Sequence, residues 1–320
     1  MGEQCIGFHL NLQGKSPRRA CFSKKILYLD QTSRTSLEKF AMQVATLLRF
    51  VKIEHTLFSL PLIYSGAFLA AGGGISWRLA GLMLLAAVGA RTVALALNRI
   101  IDREIDKRNA RTTIRELPAG HMKLFEALAV LVIGLLLYFI SAELIGRFCL
   151  IWSPLPLAIF VLYPYMKRFT PLAHFGVGLG LGMAPLAGWV AVTQALDNLV
   201  PGLVLAFFTT LWVAGFDIIY ATLDEEFDRK ENLYSIPSRL GKQRALRISG
   251  YLHVLAFLVL IAIFTLYVRS LVALPLLGIA GFLLYLEHAK ANDVELAFFK
   301  INAVLGFVIF AMVAVGVNFR

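Results

Sequence analysis

Long apolar runs, separated by polar breaks or by breaks with proline and glycine, fill most of the chain after its polar beginning. A helix of about 20 apolar residues crosses the hydrocarbon core of a bilayer, and runs of that length predict about nine transmembrane helices. The predicted spans cover residues 53–71, 79–97, 124–141, 148–166, 172–192, 201–221, 248–268, 271–287 and 298–317. The pattern therefore predicts an all-α membrane protein built as a helical bundle.

Composition agrees with this class. Of the 320 residues, 58% are hydrophobic and 16% are charged, and the mean hydropathy is +0.73. A soluble domain of this size could not bury so much apolar surface in its core. We therefore expect a polytopic membrane protein that has the lipid bilayer as a partner.

The distribution of basic residues predicts the orientation of the bundle. With the amino terminus in the cytoplasm, nearly all Lys and Arg residues fall in the tail or at the inner ends of the spans. The exceptions are Arg78, Arg91, Arg147, Arg269 and Arg320. A net charge of +11 on that face suits anionic lipid headgroups and anionic substrates, so it implies no nucleic acid.

Residues 1–41 form a polar and basic segment without the apolar core of a signal peptide. This composition predicts a disordered cytoplasmic tail that precedes a transmembrane domain over residues 42–320. A start at Met42 would leave every predicted span intact, so Met1 and Met42 both stay open as the initiating residue.

Two acidic clusters lie where an apolar span meets a basic loop. At helical spacing, the side chains of each cluster share one helix face, over about 80° in the first and about 40° in the second. The clusters are Asn98, Asp102 and Asp106 at the end of the second span, and Asp217, Asp224 and Asp228 around the end of the sixth. Both are predicted to open on the cytoplasmic side.

Carboxylates without neighbouring His or Cys ligands favour Mg²⁺, which keeps several waters and shares its remaining positions with substrate phosphates. The clusters therefore predict a diphosphate-binding site at the membrane surface. The simpler alternative, a pair of solvated acidic helix ends, is disfavoured because two clusters recur with the same polarity and with matching loops. Asp102 and Asp224 are about 120 residues apart, which predicts two repeats of a four-helix unit.

The two clusters also resemble the signature motifs of a known family. The motifs read Asn98-x3-Asp102-x3-Asp106 and Asp217-x2-Tyr220-Ala-x2-Asp224-x3-Asp228, followed by Ser235-Ile-Pro237 and Gly241. Supporting pieces are Arg111-Thr112, Arg115-x2-Pro118-x-Gly120, Tyr163-Pro164 and Lys167-Arg168. Together they resemble the UbiA-type intramembrane aromatic prenyltransferases over nearly the whole membrane part. Arg49-Phe-Val-Lys52-Ile-Glu54-His55 and Ala90-Arg91-Thr92 look like the 4-hydroxybenzoate polyprenyltransferase-like branch, which includes members of menaquinone synthesis.

The resemblance implies an enzyme of the bacterial inner membrane that transfers a polyprenyl group to an aromatic acid in quinone synthesis. The donor would be a polyprenyl diphosphate. Mg²⁺ would be held by Asp102, Asp106, Asp224 and Asp228. The diphosphate would be bound by Asn98, Arg111, Arg115, Lys167 and Arg168. For Lys167 and Arg168, a plain positive-inside anchor is the alternative role.

Three further residues are candidates for the acceptor side of the site. A charge inside a transmembrane segment is costly enough to suggest a function, so Arg91 is expected to bind the aromatic carboxylate. It could instead pair with a residue of the acidic motifs or with a helix backbone. Asp217 and Tyr220 lie one or two turns deeper than Asp224 and could orient the ring hydroxyl or accept its proton.

Other functional classes remain open at this point. A transporter would also have many spans and an intramembrane charge, but it would need broken helices or polar residues near the midplane rather than carboxylates at one rim. A lipid phosphatase would need a nucleophile or base, and His121, His174, His253 and His288 are scattered and read as structural. The acceptor could be 4-hydroxybenzoate or a dihydroxynaphthoate, in ubiquinone or menaquinone synthesis, and the family resemblance also leaves open a chlorophyll precursor, haem, homogentisate or a glycerol-type lipid. Gly176, Gly178, Gly180 and Gly182 predict close helix packing.

Overall fold

A computed structural model describes residues 46, 47, 49, 50, 56–291, 293 and 300–319 of the chain. Within these residues all regular structure is helical, which confirms the all-α class. The predicted tail over residues 1–41 and the alternative start at Met42 lie outside the described residues. The two predicted four-helix repeats, the total number of spans and the cytoplasmic position of the site stay predictions.

Thirteen α-helices follow one another along the described part of the chain. They are α1 (Thr56–Ala71), α2 (Trp77–Ile101), α3 (Arg103–Arg108), α4 (Leu124–Ile145), α5 (Arg147–Trp152), α6 (Pro154–Met166), α7 (Ala173–Thr193), α8 (Val200–Ala221), α9 (Glu225–Lys230), α10 (Ile236–Leu240), α11 (Lys242–Ile263), α12 (Leu274–Ala289) and α13 (Asn302–Asn318). A 3₁₀ turn, Thr222–Asp224, joins α8 to α9, and a π-helical turn, Phe264–Val268, extends α11.

The apolar spans predicted from the sequence correspond to these helices. Among the described residues, seven helical segments are long and apolar enough to cross a membrane. The first and last predicted spans correspond to the shorter apolar helices α1 and α13. Most helices leave large apolar side chains exposed, as lipid-facing helices do, since lipid tails solvate such side chains.

Helix α8 lies at the centre of the bundle. In the segment that contains it, 72% of the most apolar stretch is buried, against 33% for α2. Helix α8 packs mainly against α7 and α11, whereas α2 packs mainly against α4 and α6. The helix of the second cluster, α8, is therefore more buried than the helix of the first, and the two clusters meet through the loop that follows the first cluster.

A buried polar cluster ties α8 to the last helices of the chain. The Trp212 indole donates to Asn302 Oδ1 at 2.7 Å, and the Asn302 amide donates to Glu287 Oε1 at 2.9 Å. His253 hydrogen-bonds the Trp212 carbonyl oxygen and His288, at 3.0 and 2.9 Å. Polar groups hidden in a membrane bundle need such partners, so the cluster fixes α8 against α11, α12 and α13.

Close packing of α7 against α8 depends on the glycine run that the sequence predicts to pack closely. A Cβ atom at Gly178 would overlap the Thr210 carbonyl oxygen of α8, whereas a Cβ atom at Gly180 would meet its nearest neighbour, Phe160, at 3.5 Å. We expect Gly178→Ala to destabilise the protein by about 1–3 kcal/mol and Gly180→Ala to be nearly neutral. Thermal unfolding in detergent measures both, and equal melting temperatures for the two variants would contradict the prediction.

Candidate active site

Both acidic clusters lie at an interruption of their helix. The backbone leaves α-helical geometry at Asp102, with φ −91° and ψ 2°, and at Asp224, with φ −106° and ψ 7°. The helix resumes as α3 after Asp102 and as α9 after Asp224. The sequence predicts one continuous helix through each cluster, and the structure differs from that prediction at these two residues. The break at Asp102 is local, since the backbone N–H of Asp102 still donates to the Asn98 carbonyl oxygen at 3.0 Å and that of Asp106 to the Asp102 carbonyl oxygen at 2.8 Å.

Asp102 is the most deeply buried carboxylate of the first cluster, with 3% of its surface exposed. Its Oδ2 accepts hydrogen bonds from Lys167 Nζ at 2.6 Å and from Asn98 Nδ2 at 3.2 Å. Burial raises the pKa of the Asp102 carboxyl, and the ammonium group of Lys167 opposes that rise. Its other oxygen, Oδ1, is buried and has no hydrogen-bond partner among the described residues.

Asp106 is held by the loop that follows α3. Its Oδ2 accepts a hydrogen bond from Arg115 at 2.7 Å, and its backbone carbonyl accepts one from Thr112 at 3.1 Å. Glu116, the next residue of the loop, forms an ion pair at 2.9 Å with Arg99 of α2. These contacts fix the loop against the end of α2, so its basic side chains have defined positions.

Asp224 joins the two clusters. Arg111 forms a two-point ion pair with the Asp224 carboxylate, with Nε at 2.9 Å from Oδ1, and Asn109 donates to the same Oδ1 at 2.8 Å. Arg111 also donates to the Tyr220 hydroxyl at 2.6 Å. Asn109 and Arg111 follow the first cluster, whereas Asp224 belongs to the second. The structure therefore brings the two motifs into one site.

The other predicted residues, Asp228, Lys167 and Arg168, lie beside the site and have different contacts. Asp228 lies against the Ser235 side chain, in the turn that precedes α10. The same turn is joined to Lys167, whose carbonyl oxygen accepts the backbone N–H of Tyr234 at 2.7 Å. Arg168 donates to the Ile101 carbonyl oxygen at 2.9 Å, which satisfies the end of α2. In this structure Arg168 therefore caps a helix, while Lys167 contacts an acidic residue.

Arg91 lines an apolar cavity of about 490 Å³ next to the polar site. The cavity lies between α1, α2, α4 to α7 and the start of α8, and its walls include Ala87, Gly180 and Leu203. Arg91 Nε is buried without a hydrogen-bond partner, and no ion pair joins Arg91 to any described residue. Pairing with an acidic-motif residue or a helix backbone, the alternative left open by the sequence, is not seen there.

Asp217 lies deeper than Asp224 and is bonded to a histidine. Its Oδ2 is 2.7 Å from His174 Nδ1, at the start of α7. His174 and Asp217 are 43 residues apart, so their spacing gives no sign of the contact. Asp217, Arg91 and Asp102 all interact electrostatically with Tyr163, which lines the cavity. Tyr163 thus marks the boundary between the apolar cavity and the polar site.

The sequence analysis missed two polar residues of the site. Asn109 is not among the predicted site residues. Its position between the first cluster and Arg111 is the one local signal of its role. His174 was grouped with scattered histidines, and a lone His in an apolar span gives no indication of its partner. Both contacts join segments that are distant in sequence, so only the tertiary structure reveals them.

The donor atoms of the site suit a hard divalent cation. Its acidic groups offer oxygen atoms alone, and the buried Asp102 Oδ1 is free to accept a cation or a hydrogen-bond donor. Among the described residues, no three His, Cys, Asp or Glu side chains are close enough to hold a metal by themselves. Mg²⁺ commonly uses one or two carboxylates together with substrate phosphates, and the arrangement fits that mode.

In this helical membrane bundle, basic and acidic side chains meet at one end of an apolar cavity, which is an arrangement suited to a membrane-embedded enzyme. The model of the UbiA prenyltransferase family matches residues 59–298. The chain therefore belongs to the UbiA prenyltransferase family and is an integral membrane prenyltransferase, as its motifs predict.

Relatives and solved structures support the family. A polyprenyl transferase, macG, of Penicillium terrestre is 33% identical over 243 residues, which are 71% of this chain and 74% of that protein. A 4-hydroxybenzoate octaprenyltransferase of Paracidovorax citrulli is 30% identical over 267 residues, 80% of this chain and 87% of that protein. The apo structure of a UbiA homologue from Aeropyrum pernix K1 has a TM-score of 0.77 at 36% identity and covers 82% of this chain and 98% of its own.

A fourth comparison concerns the fold alone. The structure of a UbiA homologue from Archaeoglobus fulgidus bound to GPP and Mg²⁺ has a TM-score of 0.64 at 21% identity. It covers 84% of this chain and 99% of its own.

Proposed function

We propose that this enzyme transfers a polyprenyl group from a polyprenyl diphosphate to an aromatic acid of the 4-hydroxybenzoate type. The observation that carries the proposal is Arg91, which lines an apolar cavity next to the carboxylate site and forms no ion pair with a described residue; its Nε is buried without a hydrogen-bond partner among those residues. Leaving an arginine unpaired inside a membrane bundle is expensive, and a carboxylate on the substrate would supply the missing partner. The 4-hydroxybenzoate octaprenyltransferases among the relatives agree with such an acceptor.

The polar end of the site is proposed to bind the donor diphosphate. Asp102, Asp106, Asp224 and Asp228 would hold Mg²⁺. In the described structure Lys167, Arg115 and Arg111 each form an ion pair with one of the first three carboxylates. With a cation on the carboxylates, these basic groups would be available to phosphate oxygens, together with Asn98 and Arg168. Mg²⁺ would supply the charge that stabilises the leaving diphosphate.

The reaction breaks the C–O bond between the allylic carbon and the diphosphate, and the electron pair leaves with the diphosphate. A ring carbon next to the hydroxyl supplies the electron pair of the new C–C bond. That carbon then loses its proton to water at the polar end of the site, which restores the aromatic ring. Asp217 is placed to accept a hydrogen bond from the ring hydroxyl, and the apolar cavity keeps water from the allylic cation. The Tyr220 hydroxyl accepts a hydrogen bond from Arg111, so Tyr220 would act on the diphosphate side of the site.

We place this enzyme in the cytoplasmic membrane of a bacterium, with its amino terminus and active site facing the cytoplasm. The asymmetry of basic residues supports the orientation, and the bacterial 4-hydroxybenzoate octaprenyltransferases among the relatives support the membrane and a role in ubiquinone synthesis.

An acceptor panel tests the proposed substrate class. The wild-type protein in lipid nanodiscs is supplied with labelled polyprenyl diphosphate and Mg²⁺. The acceptors are 4-hydroxybenzoate, 1,4-dihydroxy-2-naphthoate and a neutral phenol of similar size. We expect the benzoate to give prenylated product with the highest kcat/KM and the neutral phenol to give the least. Preference for the naphthoate would replace the acceptor and keep the mechanism, whereas preference for the neutral phenol would contradict an anchored carboxylate.

A further inference from the structure

His174 is buried at the amino-terminal end of α7, and both of its ring nitrogens are engaged. Its side chain is 4% exposed. The backbone N–H of Ile236 points at Nε2 from 3.2 Å, and the Asp217 carboxylate lies 2.7 Å from Nδ1. An N–H group can only donate, so Nε2 must be the acceptor and Nδ1 must carry the hydrogen. The surroundings thus select one tautomer, in which His174 donates to Asp217.

This hydrogen bond leaves one oxygen of Asp217 available to a ligand. Asp217 Oδ2 is taken by His174, and Oδ1 accepts no hydrogen bond from any described residue. The Asp217 side chain is 22% exposed. Its charge acts on Tyr163, whose ring lines the cavity that also contains Arg91. We infer that this free oxygen faces the region between the cavity and the diphosphate site, where an aromatic acceptor would sit.

We propose that His174 is a positioning residue that holds Asp217 in the orientation needed to bind the hydroxyl group of the aromatic acceptor. This inference rests on the proposed function and deepens it, since it assigns one residue to the acceptor side of the same site. A neutral imidazole fixes the carboxylate without adding a charge that would compete with the substrate. Arg91 and Asp217 then bind the two ends of a ring that carries a carboxylate and a hydroxyl.

His174 also contacts the turn at Ser235 and Ile236, which follows the second acidic cluster in the sequence. Ile236 starts α10, and the preceding Ser235 lies against Asp228. A change at His174 could thus act through Asp217 or through this turn. The two routes use different ring nitrogens, so amide side chains can separate them. In place of His, an Asn amide can donate near the Nδ1 position, whereas a Gln carbonyl can accept near the Nε2 position.

The test compares His174→Asn with His174→Gln in the full-length protein in nanodiscs, with His121→Gln, an exposed histidine, as the control. We expect His174→Gln to lower kcat for transfer by about 10- to 100-fold, since it loses the bond to Asp217. We expect His174→Asn to keep clearly more transfer activity than His174→Gln. Greater loss in His174→Asn would assign the histidine to the turn and overturn the proposal.

Two further readouts separate positioning from general disorder of the site. Diphosphate release without acceptor reports the donor side, and it should stay within about threefold of wild type in His174→Gln. In an Asp217→Asn background, His174→Gln should add little further loss, since the two residues act as a pair. Equal losses in both partial reactions, or additive losses in the double variant, would overturn the role of His174. A wild-type protein that releases diphosphate but prenylates no aromatic acid would overturn the proposed function, and the role of His174 with it.

Discussion

Replacing Asp102 or Asp224 with Asn is expected to lower prenyl transfer by about a thousandfold, a loss of about 4 kcal/mol in transition-state stabilisation. Asn keeps the size of each side chain and removes the negative charge that would hold a divalent cation. Each substitution also leaves one basic group, Lys167 or Arg111, without its ion-pair partner. Initial rates at saturating donor and acceptor, measured over a range of Mg²⁺ concentrations, give the size of the loss.

Matched controls lie beside the two clusters. Glu104 is an exposed carboxylate two residues after Asp102, where it pairs with Arg103 and Lys107, and Glu226 is an exposed carboxylate two residues after Asp224. Glu104→Gln and Glu226→Gln should keep nearly all transfer activity, since surface ion pairs contribute little. Equal losses in the control and test variants would show a general charge effect and would contradict a specific metal site.

The second large effect is expected for Arg91→Leu. This variant should lower kcat/KM for an aromatic acid by about 100-fold, since a hydrogen bond to a charged group contributes about 1.5–3 kcal/mol. The same variant should discriminate little between the acid and its neutral amide, because the group that recognises the carboxylate is gone. Steady-state kinetics with the two acceptors measure the ratio. An unchanged affinity for the acid would remove Arg91 from the acceptor site.

Stability gives an independent check on Arg91. Its Nε is buried without a hydrogen-bond partner and the side chain forms no ion pair with a described residue, so the folded protein gains no ion pair from it there. Arg91→Leu should therefore leave the melting temperature unchanged or raise it while activity falls. A stabilised but less active variant is the expected signature of a residue kept for function. Loss of activity together with a lowered melting temperature would indicate a structural role instead.

The helices could be predicted from the sequence because each apolar run is long enough to span a bilayer and is bounded by charges or by Pro and Gly. The four carboxylates proposed to hold the metal could be selected for a related reason, since helical spacing groups them before any partner is known. Their individual ion pairs could not be predicted. Lys167 reaches Asp102 across 65 residues and Arg111 reaches Asp224 across 113, and such choices depend on how the loops fold.

The breaks at Asp102 and Asp224 were also beyond the sequence analysis. Neither break contains Pro or Gly, so local propensity favours a continuous helix. Tertiary contacts override that preference, because the Asp224 carboxylate gains an ion pair from a loop and the buried Asp102 carboxylate gains one from the end of α6. The contact of His174 could not be predicted either, since one histidine in an apolar span could equally lie against lipid or in the core.

Metal-dependent formation of a product labelled in both halves tests the central claim most directly. Membranes with the wild-type protein receive ³H-labelled polyprenyl diphosphate and ¹⁴C-labelled 4-hydroxybenzoate, with Mg²⁺, with EDTA, and with EDTA followed by excess Mg²⁺. The account predicts one lipid-soluble product that contains both labels, is absent with EDTA and returns when Mg²⁺ is restored. Release of diphosphate without any doubly labelled product from this acceptor or from the other aromatic acids, or a product that forms equally well with EDTA, would contradict it.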